Sequence, residues 1–327
     1  MLTGLKRAVL AAAALAVAAL SMPPAAQAQS DYPNRPVRLI VGFPPGSSAD
    51  IAARVIGNRM TQLLGQQVVV ESKPGAASSI AAAEVARAEK DGYTLFMLSA
   101  ANAINEQINP NLTFNIARDF APVAMVNTTA ILLAVHPSTG VNDVKGLIAL
   151  AKSKPGELNY ASTGPGTVPH LAGELFAVRT GIKIQHVPYK GSPEAATDLL
   201  AGRVSMMFSP ASAVIAHAKD GKLKLLATAT GVRLGVLPDL PTMVQAGVPD
   251  FETSIWFGLV VPTGTPRVVI DKLGKAAMEA TAAPEVAKAW EPQGILPLKG
   301  GPDDFARFVA AETKRWSEAA AAAGLKK

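Results

Sequence analysis

A chain of 327 residues, 49% hydrophobic and 17% charged, holds apolar material for one large or two ordinary domains and is not a disordered sequence. It contains no cysteine, which excludes disulfides, thiolate catalysis, cysteine-ligated zinc and iron–sulfur clusters. The formal charge of +6 comes from dispersed Lys and Arg without interleaved aromatics, so no nucleic-acid partner is expected.

Lys6 and Arg7 precede the uncharged apolar run Ala8–Leu20. Ser21-Met-Pro-Pro24 ends that run, and Ala26-Gln-Ala28 places small residues where a signal peptidase reads. The pattern predicts a signal peptide over 1–28 and an exported, soluble mature chain. An apolar run of thirteen residues falls short of the ~20 that span a bilayer. Removing 1–28 takes two of the 31 basic residues and none of the 25 acids, so the charge falls to +4.

Val- and Ile-rich 35–43 predicts a buried strand ending in a Pro/Gly turn. Apolar residues at 51, 55, 56, 60, 63 and 64 then predict a helix over 49–64, stopped by Gly65. A strand over 67–71, a loop over 72–79 and a helix over 80–88 repeat the pattern. A strand over 94–98 leads through Ser99, Ala100 and Asn102 into another helix. The second half predicts strands at 130–135, 158–161, 183–187, 203–208 and 223–230, with helices at 144–152, 168–179, 193–201 and 211–219 between them. A Pro/Gly-rich connection (237–249), a strand (254–261) and helices over 266–282 and 303–323 close the chain. Strands alternating with helices predict an α/β fold of βαβ units with parallel sheet.

Two segments, 120–129 and about 249–254, can carry the chain between two lobes. The economical division puts 29–127 and 252–327 in one lobe and 128–251 in the other, with a ligand cleft between them at the carboxyl ends of the strands. Three loops there share one chemistry: Phe43-Pro-Pro45-Gly46-Ser47-Ser48-Ala-Asp50, Ser162-Thr163-Gly164-Pro-Gly166-Thr167, and Ser209-Pro-Ala-Ser212. Each follows a strand, is rich in small and hydroxyl residues and opens a helix, the arrangement of an anion site. Each could equally be a plain helix cap; three such loops together with Ser99–Asn102 point to a carboxylate.

Nucleotide fingerprints fail. Gly164-Pro-Gly166 lacks the third glycine, and no Gly-Lys-Ser/Thr loop exists. The four histidines do not show metal-ligand spacing, and there is no Gly-x-Ser-x-Gly elbow. His170, beside the Gly-Thr loop, is a structural or a ligand-facing residue. Asp50 serves the helix end or a ligand donor, Tyr189 offers its hydroxyl to the cleft or belongs to the core, and Trp256 reads as core.

The chain resembles the Bug-type extracytoplasmic solute receptors of tripartite tricarboxylate transporters over residues 31–327. The carriers are Tyr32-Pro-Asn-Arg-Pro-Val-Arg-Leu-Ile-Val41 with the following Phe-Pro-Pro-Gly, Lys73-Pro-Gly75, Asp91-Gly-Tyr-Thr-Leu95 and Asp119-Phe-Ala-Pro-Val123. They continue in Ala151-Lys-Ser-Lys-Pro-Gly156, His170-Leu-Ala-Gly-Glu-Leu-Phe176, Val187-Pro-Tyr-Lys-Gly191 and Leu237-Pro-Asp-Leu-Pro-Thr242. The resemblance implies a monomeric, two-lobed periplasmic binding protein without catalysis, cofactor or metal. It would capture a small organic carboxylate, a dicarboxylate above others, whether aliphatic or aromatic, and deliver it to membrane permease subunits. Loop amides, hydroxyls and ordered waters would hold the carboxylate at 43–50 and at 162–167 with His170. A sensory receptor for a membrane kinase and a secreted hydrolase on the same fold are the alternatives. The chain departs from the family in Ser47 after Gly46, in Ala76-Ala-Ser-Ser79, and in Ser209-Pro210 where many relatives carry Asp-Asn; the last departure disfavours an ammonium-bearing ligand.

Overall fold

The computed structural model describes residues 32–322; the predicted signal peptide lies outside the described residues. Every element below belongs to the compact unit that begins at Arg35.

Strands β1 (Val37–Val41), β2 (Val68–Ser72) and β3 (Thr94–Ser99) pair in parallel in the order β2-β1-β3. Helices α1 (Ser48–Leu64) and α2 (Ser79–Val85) are their crossovers. Helix α3 (Ala100–Ile108) and the single turn α4 (Ile116–Asp119) lead into β4 (Phe120–Val135). The middle of the chain runs α5 (Val144–Ser153), β5 (Asn159–Ser162), α6 (Val168–Thr180), β6 (Gln185–Pro188), α7 (Ser192–Leu200), β7 (Met206–Pro210), α8 (Ala211–Lys219) and β8 (Lys224–Thr228). The chain returns as β9 (Ser254–Pro262) and ends in α9 (Arg267–Ala282), α10 (Pro284–Trp290), β10 (Ile295–Pro297) and α11 (Pro302–Ala322).

The ten strands form one sheet in the order β2-β1-β3-β9-β4-β7-β5-β6, with β8 and β10 also on β4. The α/β alternation is as predicted, but the sheet is mixed. The βαβ units are parallel, whereas β9 runs antiparallel to β3 and β4, and β4 runs antiparallel to β7 and β8. Element alternation fixes strand direction only where a short crossover helix joins neighbours; β4 and β9 enter by longer connections.

The predicted crossing segment 120–129 is the first part of the 16-residue strand β4, continuous with the predicted strand 130–135. Pro122 obscured this. It sits where the β4–β9 register shifts, at a bulge that tolerates a residue without an N–H. The strand predicted at 203–208 begins at Met206 and runs to Pro210, so Ser209 and Pro210 belong to a strand end rather than a loop.

Strand β9 crosses the middle of the sheet with its two faces differently used. Trp256 meets the rings of Phe305 and Phe308 of α11 edge-on, at 6.0 and 5.3 Å, and a side chain at Gly258 would lie 2.1 Å from the Phe305 ring. Trp256 is therefore core, and the pleat turns Ile255 and Phe257 to the opposite face. The Trp256 and Trp316 ring N–H groups both donate to Glu312 Oε2, at 2.7 and 3.2 Å, with Glu312 itself buried. Glu312→Ala should destabilise the protein by ~1.5–3 kcal/mol, the cost of stripping buried donors of a charged acceptor. Glu312→Gln, which keeps an acceptor, should cost less; urea unfolding of both variants measures the difference.

Candidate ligand-binding site

Five helices begin around one cavity: α1, α3, α6, α7 and α8. The first amides of a helix have no acceptor inside it, and the aligned peptide dipoles make that end positive. The cavity wall takes Ser47 and Ser48 from the start of α1, Ser99 from the end of β3, Ala101 from α3, Thr167, Val168 and Pro169 from the start of α6, Ser192 from α7, and Pro210 from the end of β7, where α8 begins. Phe43, Thr163 and, from the middle of the sheet, Ile255 and Phe257 complete it.

The strand register explains the floor. Phe257 lies opposite Ser99, Ile255 opposite Thr129, and Pro210 opposite Ile131, so all project from one face of the sheet. No charged side chain lines the cavity. Its open space is about 20 Å³, room for a water rather than an organic acid. A side chain at Gly191 would lie 2.6 Å from Pro44, so the loops after β1 and β6 touch above the floor. Those loops have to part for a ligand to enter.

The lining hydroxyls are not equivalent. Ser99 Oγ donates to Asn102 Oδ1 at 2.9 Å, and Thr167 Oγ1 donates to the Gly164 carbonyl at 2.6 Å. Ser47 Oγ only accepts, from the Asp50 amide at 3.3 Å, which leaves its proton for another acceptor. Together with Ser48, Thr163 and Ser192, two hydroxyl donors face the cavity from the β1 side and two from the β5–β6 side.

Of the predicted residues, Phe43, Ser47, Ser48, Ser99, Thr163 and Thr167 meet in the cavity wall; Pro45, Gly46, Asp50, Ala100, Ser162, Gly164, Gly166, His170, Tyr189 and Ser209 do not. Several of these shape it instead. Asp50 Oδ2 accepts from the Gly46 amide and Arg54 Nε, both at 3.0 Å, Oδ1 accepts from Ser72 Oγ at 3.1 Å, and Arg54 Nη2 stands 2.9 Å away. Burial pushes this carboxyl up, but the Arg54 and Gly46 donors, the Arg54 charge and Ser72 outweigh it and hold Asp50 below the usual range. Asp50 thus has its cation within its own helix and fixes Gly46 in a left-handed turn, φ 77°, that favours glycine.

Ser162 is fully buried; its Oγ lies 2.6 Å from His186 Nε2 and accepts from the Gly164 amide at 3.1 Å. The Gly166 amide donates to His170 Nδ1 at 3.2 Å, and Asn105 Nδ2 donates to the Gly166 carbonyl at 3.2 Å. Tyr189 donates its hydroxyl proton to Asp198 at 2.7 Å, and burial, followed by that bond, pushes it up to about 12. Ser209 Oγ donates to the Pro210 carbonyl.

The sequence reading missed Ala101, Val168, Pro169, Ser192, Pro210, Ile255 and Phe257. Gly191-Ser192-Pro193 has the same strand-to-helix grammar as the loops it singled out, and alternation along β9, once Trp256 is core, marks 255 and 257. Among the described residues no group of three His, Asp or Glu side chains could hold a metal ion. A polar hollow at the other end of β1 and β3 contains Arg35 and Arg38, but Asp91 and Glu71 already pair with them at 2.8 and 2.7 Å.

The pattern of the tripartite tricarboxylate transporter family receptor matches residues 52–325. The chain belongs to that family. It is 37% identical over 288 residues to BugT of Bordetella pertussis, covering 88% of each chain. A Rhodopseudomonas palustris protein solved with adipate superposes with a TM-score of 0.87 at 35% identity, over 90% of this chain and 99% of that one. MatC of the same organism, solved with malate, gives 0.83 at 30% identity, over 88% and 99%. The family and its structural neighbours are solute-binding receptors, not enzymes, and the mixed α/β fold is that of its periplasmic binding proteins.

Asp50→Ala should lower stability by ~1–3 kcal/mol near neutral pH by freeing the Gly46 and Ser72 donors and Arg54. A carboxyl held low in the folded state contributes above its unfolded pKa, and that contribution is lost as pH falls through the folded value. The gap between wild type and variant in urea unfolding should therefore close in strong acid.

Proposed function

We propose that this receptor works in the periplasm, captures a small dicarboxylate and delivers it to the membrane permease subunits of a tripartite tricarboxylate-type transporter. The observation that carries the reading is the composition of the cavity. Helix starts and two pairs of free hydroxyl donors face it from opposite sides, over an apolar floor and without a cation. Amide and hydroxyl donors suit carboxylate oxygens, and Pro210, Ile255 and Phe257 suit a hydrocarbon spacer. Adipate and malate in the structural neighbours support the class. With no carboxylate free to pair with an ammonium group, an amino-acid ligand is disfavoured.

In this reading 29–127 with 252–327 forms one lobe and 128–251 the other, 1–28 is the export signal, and the receptor acts as a monomer. Strand β4, which straddles the division, and the segment just before β9 then provide the connection about which the loops part, as the narrow cavity requires.

Titration calorimetry with adipate should show binding. Ser48→Ala and Thr163→Val should each weaken it about tenfold, the loss of one hydrogen bond to a charged group. Thr167→Val, whose hydroxyl is spent on Gly164, acts only through the loop. Full affinity in both Ser48→Ala and Thr163→Val would overturn the assignment of those donors.

A further inference from the structure

The turn between β5 and α6 is anchored at both ends by side chains behind the cavity wall. Gly164 N–H is held by Ser162 Oγ, which meets His186 Nε2, and Gly166 N–H is held by His170 Nδ1. The two imidazoles lie against each other with ring centroids 4.3 Å apart and planes tilted by 32°, and Tyr160 stacks on His186 at 5.0 Å. The turn carries Thr163 and Thr167 of the wall. Gly166 is left-handed, φ 73°, and a side chain there would press on Asn105 at 2.9 Å. The carbonyls of the turn are held by Thr167 Oγ1 at Gly164 and by Asn105 Nδ2 at Gly166, and its two glycine amides by the side-chain anchors.

One of these anchors is conditional. An amide proton points at His170 Nδ1, so that nitrogen must carry a lone pair and the ring proton sits on Nε2. Protonating the ring would set a donor against a donor. We infer that His170 is a positioning residue, not a ligand contact: it holds the Gly164–Thr167 turn in its carboxylate-receiving form only while its Nδ1 is unprotonated. The inference rests on the dicarboxylate reading for its consequence in binding, and on the geometry alone for its effect on the turn.

The groups facing the pair are few. Glu174, one turn along α6, accepts the Tyr160 hydroxyl and favours a charged His170, while burial disfavours it and prevails, so His170 lies below the usual histidine value. His186 is pushed down to about 4 by burial and then by His170, against Glu174. Strand β5 contributes Tyr160, β6 contributes His186, α3 contributes the uncharged Asn105, and β7 carries no titratable side chain. At a centroid separation of 4.3 Å the two rings resist carrying two charges. Neutral His170 is thus the resting state near neutral pH, and acid below the ordinary histidine range is what would change it.

The sign follows from linkage. A histidine held low when folded is fully compatible with the fold above its ordinary value, and the interaction is lost as pH falls through the folded value. His170→Asn places an amide oxygen near the Nδ1 position, so it keeps an acceptor for Gly166 and cannot titrate. Two measurements test the inference on the full mature chain. In the free protein, the Gly166 amide resonance should shift in step with protonation of the His170 ring and stay unmoved by pH in His170→Asn; a Gly166 amide indifferent to His170 protonation overturns the inference whether or not any ligand binds. With adipate as the probe, wild-type affinity should fall about tenfold more than that of His170→Asn between neutral pH and the pH at which the His170 ring resonances show it protonated, as loss of one anchoring bond implies. An equal fall in both proteins also overturns it. Failure of adipate to bind at any pH would sink the dicarboxylate reading and leave the resonance measurement to decide this one.

Discussion

The site rests on a property of every helix: its first amides have nothing inside the helix to bond to. Five helices here begin around one cavity, and the sheet places them there because each follows the carboxyl end of a strand, or a loop that returns to it. A carboxylate can then be received by oriented dipoles and hydroxyls instead of a salt bridge. Oriented neutral donors avoid the desolvation of a buried cation, and they leave the wall without charge when the ligand departs.

That economy transfers the burden to the loops. A donor without formal charge is useful only in the right direction, so the residues behind the wall matter as much as those in it. Asp50 bends the first loop through Gly46 and is itself fixed by Arg54 and Ser72. Ser162, His186 and His170 do the same for the turn between β5 and α6. Below both, Glu312 ties two tryptophans together and holds α11 against β9, whose other face is the apolar floor. Wall, loop anchors and floor are successive layers of one construction.

Much of this was legible in the sequence. The strand-to-helix loops with hydroxyls and glycines marked the helix starts that line the cavity, because turn chemistry and capping are local. The mixed sheet was not legible, because the direction of β4 and β9 depends on long connections, and Pro122 hid the continuity of β4. Within the site, a sequence shows which residues have hydroxyls but not where their protons go. Thr167, Ser99 and Ser209 looked equivalent to Ser48 and Thr163 until their donors were found committed to Gly164, Asn102 and Pro210. His186 pairs with Ser162 across 24 positions, a relation that no local pattern carries. Ile255 and Phe257 were visible in outline, as the face of a strand opposite a core tryptophan.

The most direct test of the account is a crystal structure of the mature chain with adipate. The account predicts each bound carboxylate within hydrogen-bond distance of helix-start amides and of hydroxyls among Ser47, Ser48, Thr163 and Ser192, with the methylene chain against Pro210, Ile255 and Phe257. A carboxylate paired directly with an arginine or lysine, or a ligand bound away from this cavity, would contradict it.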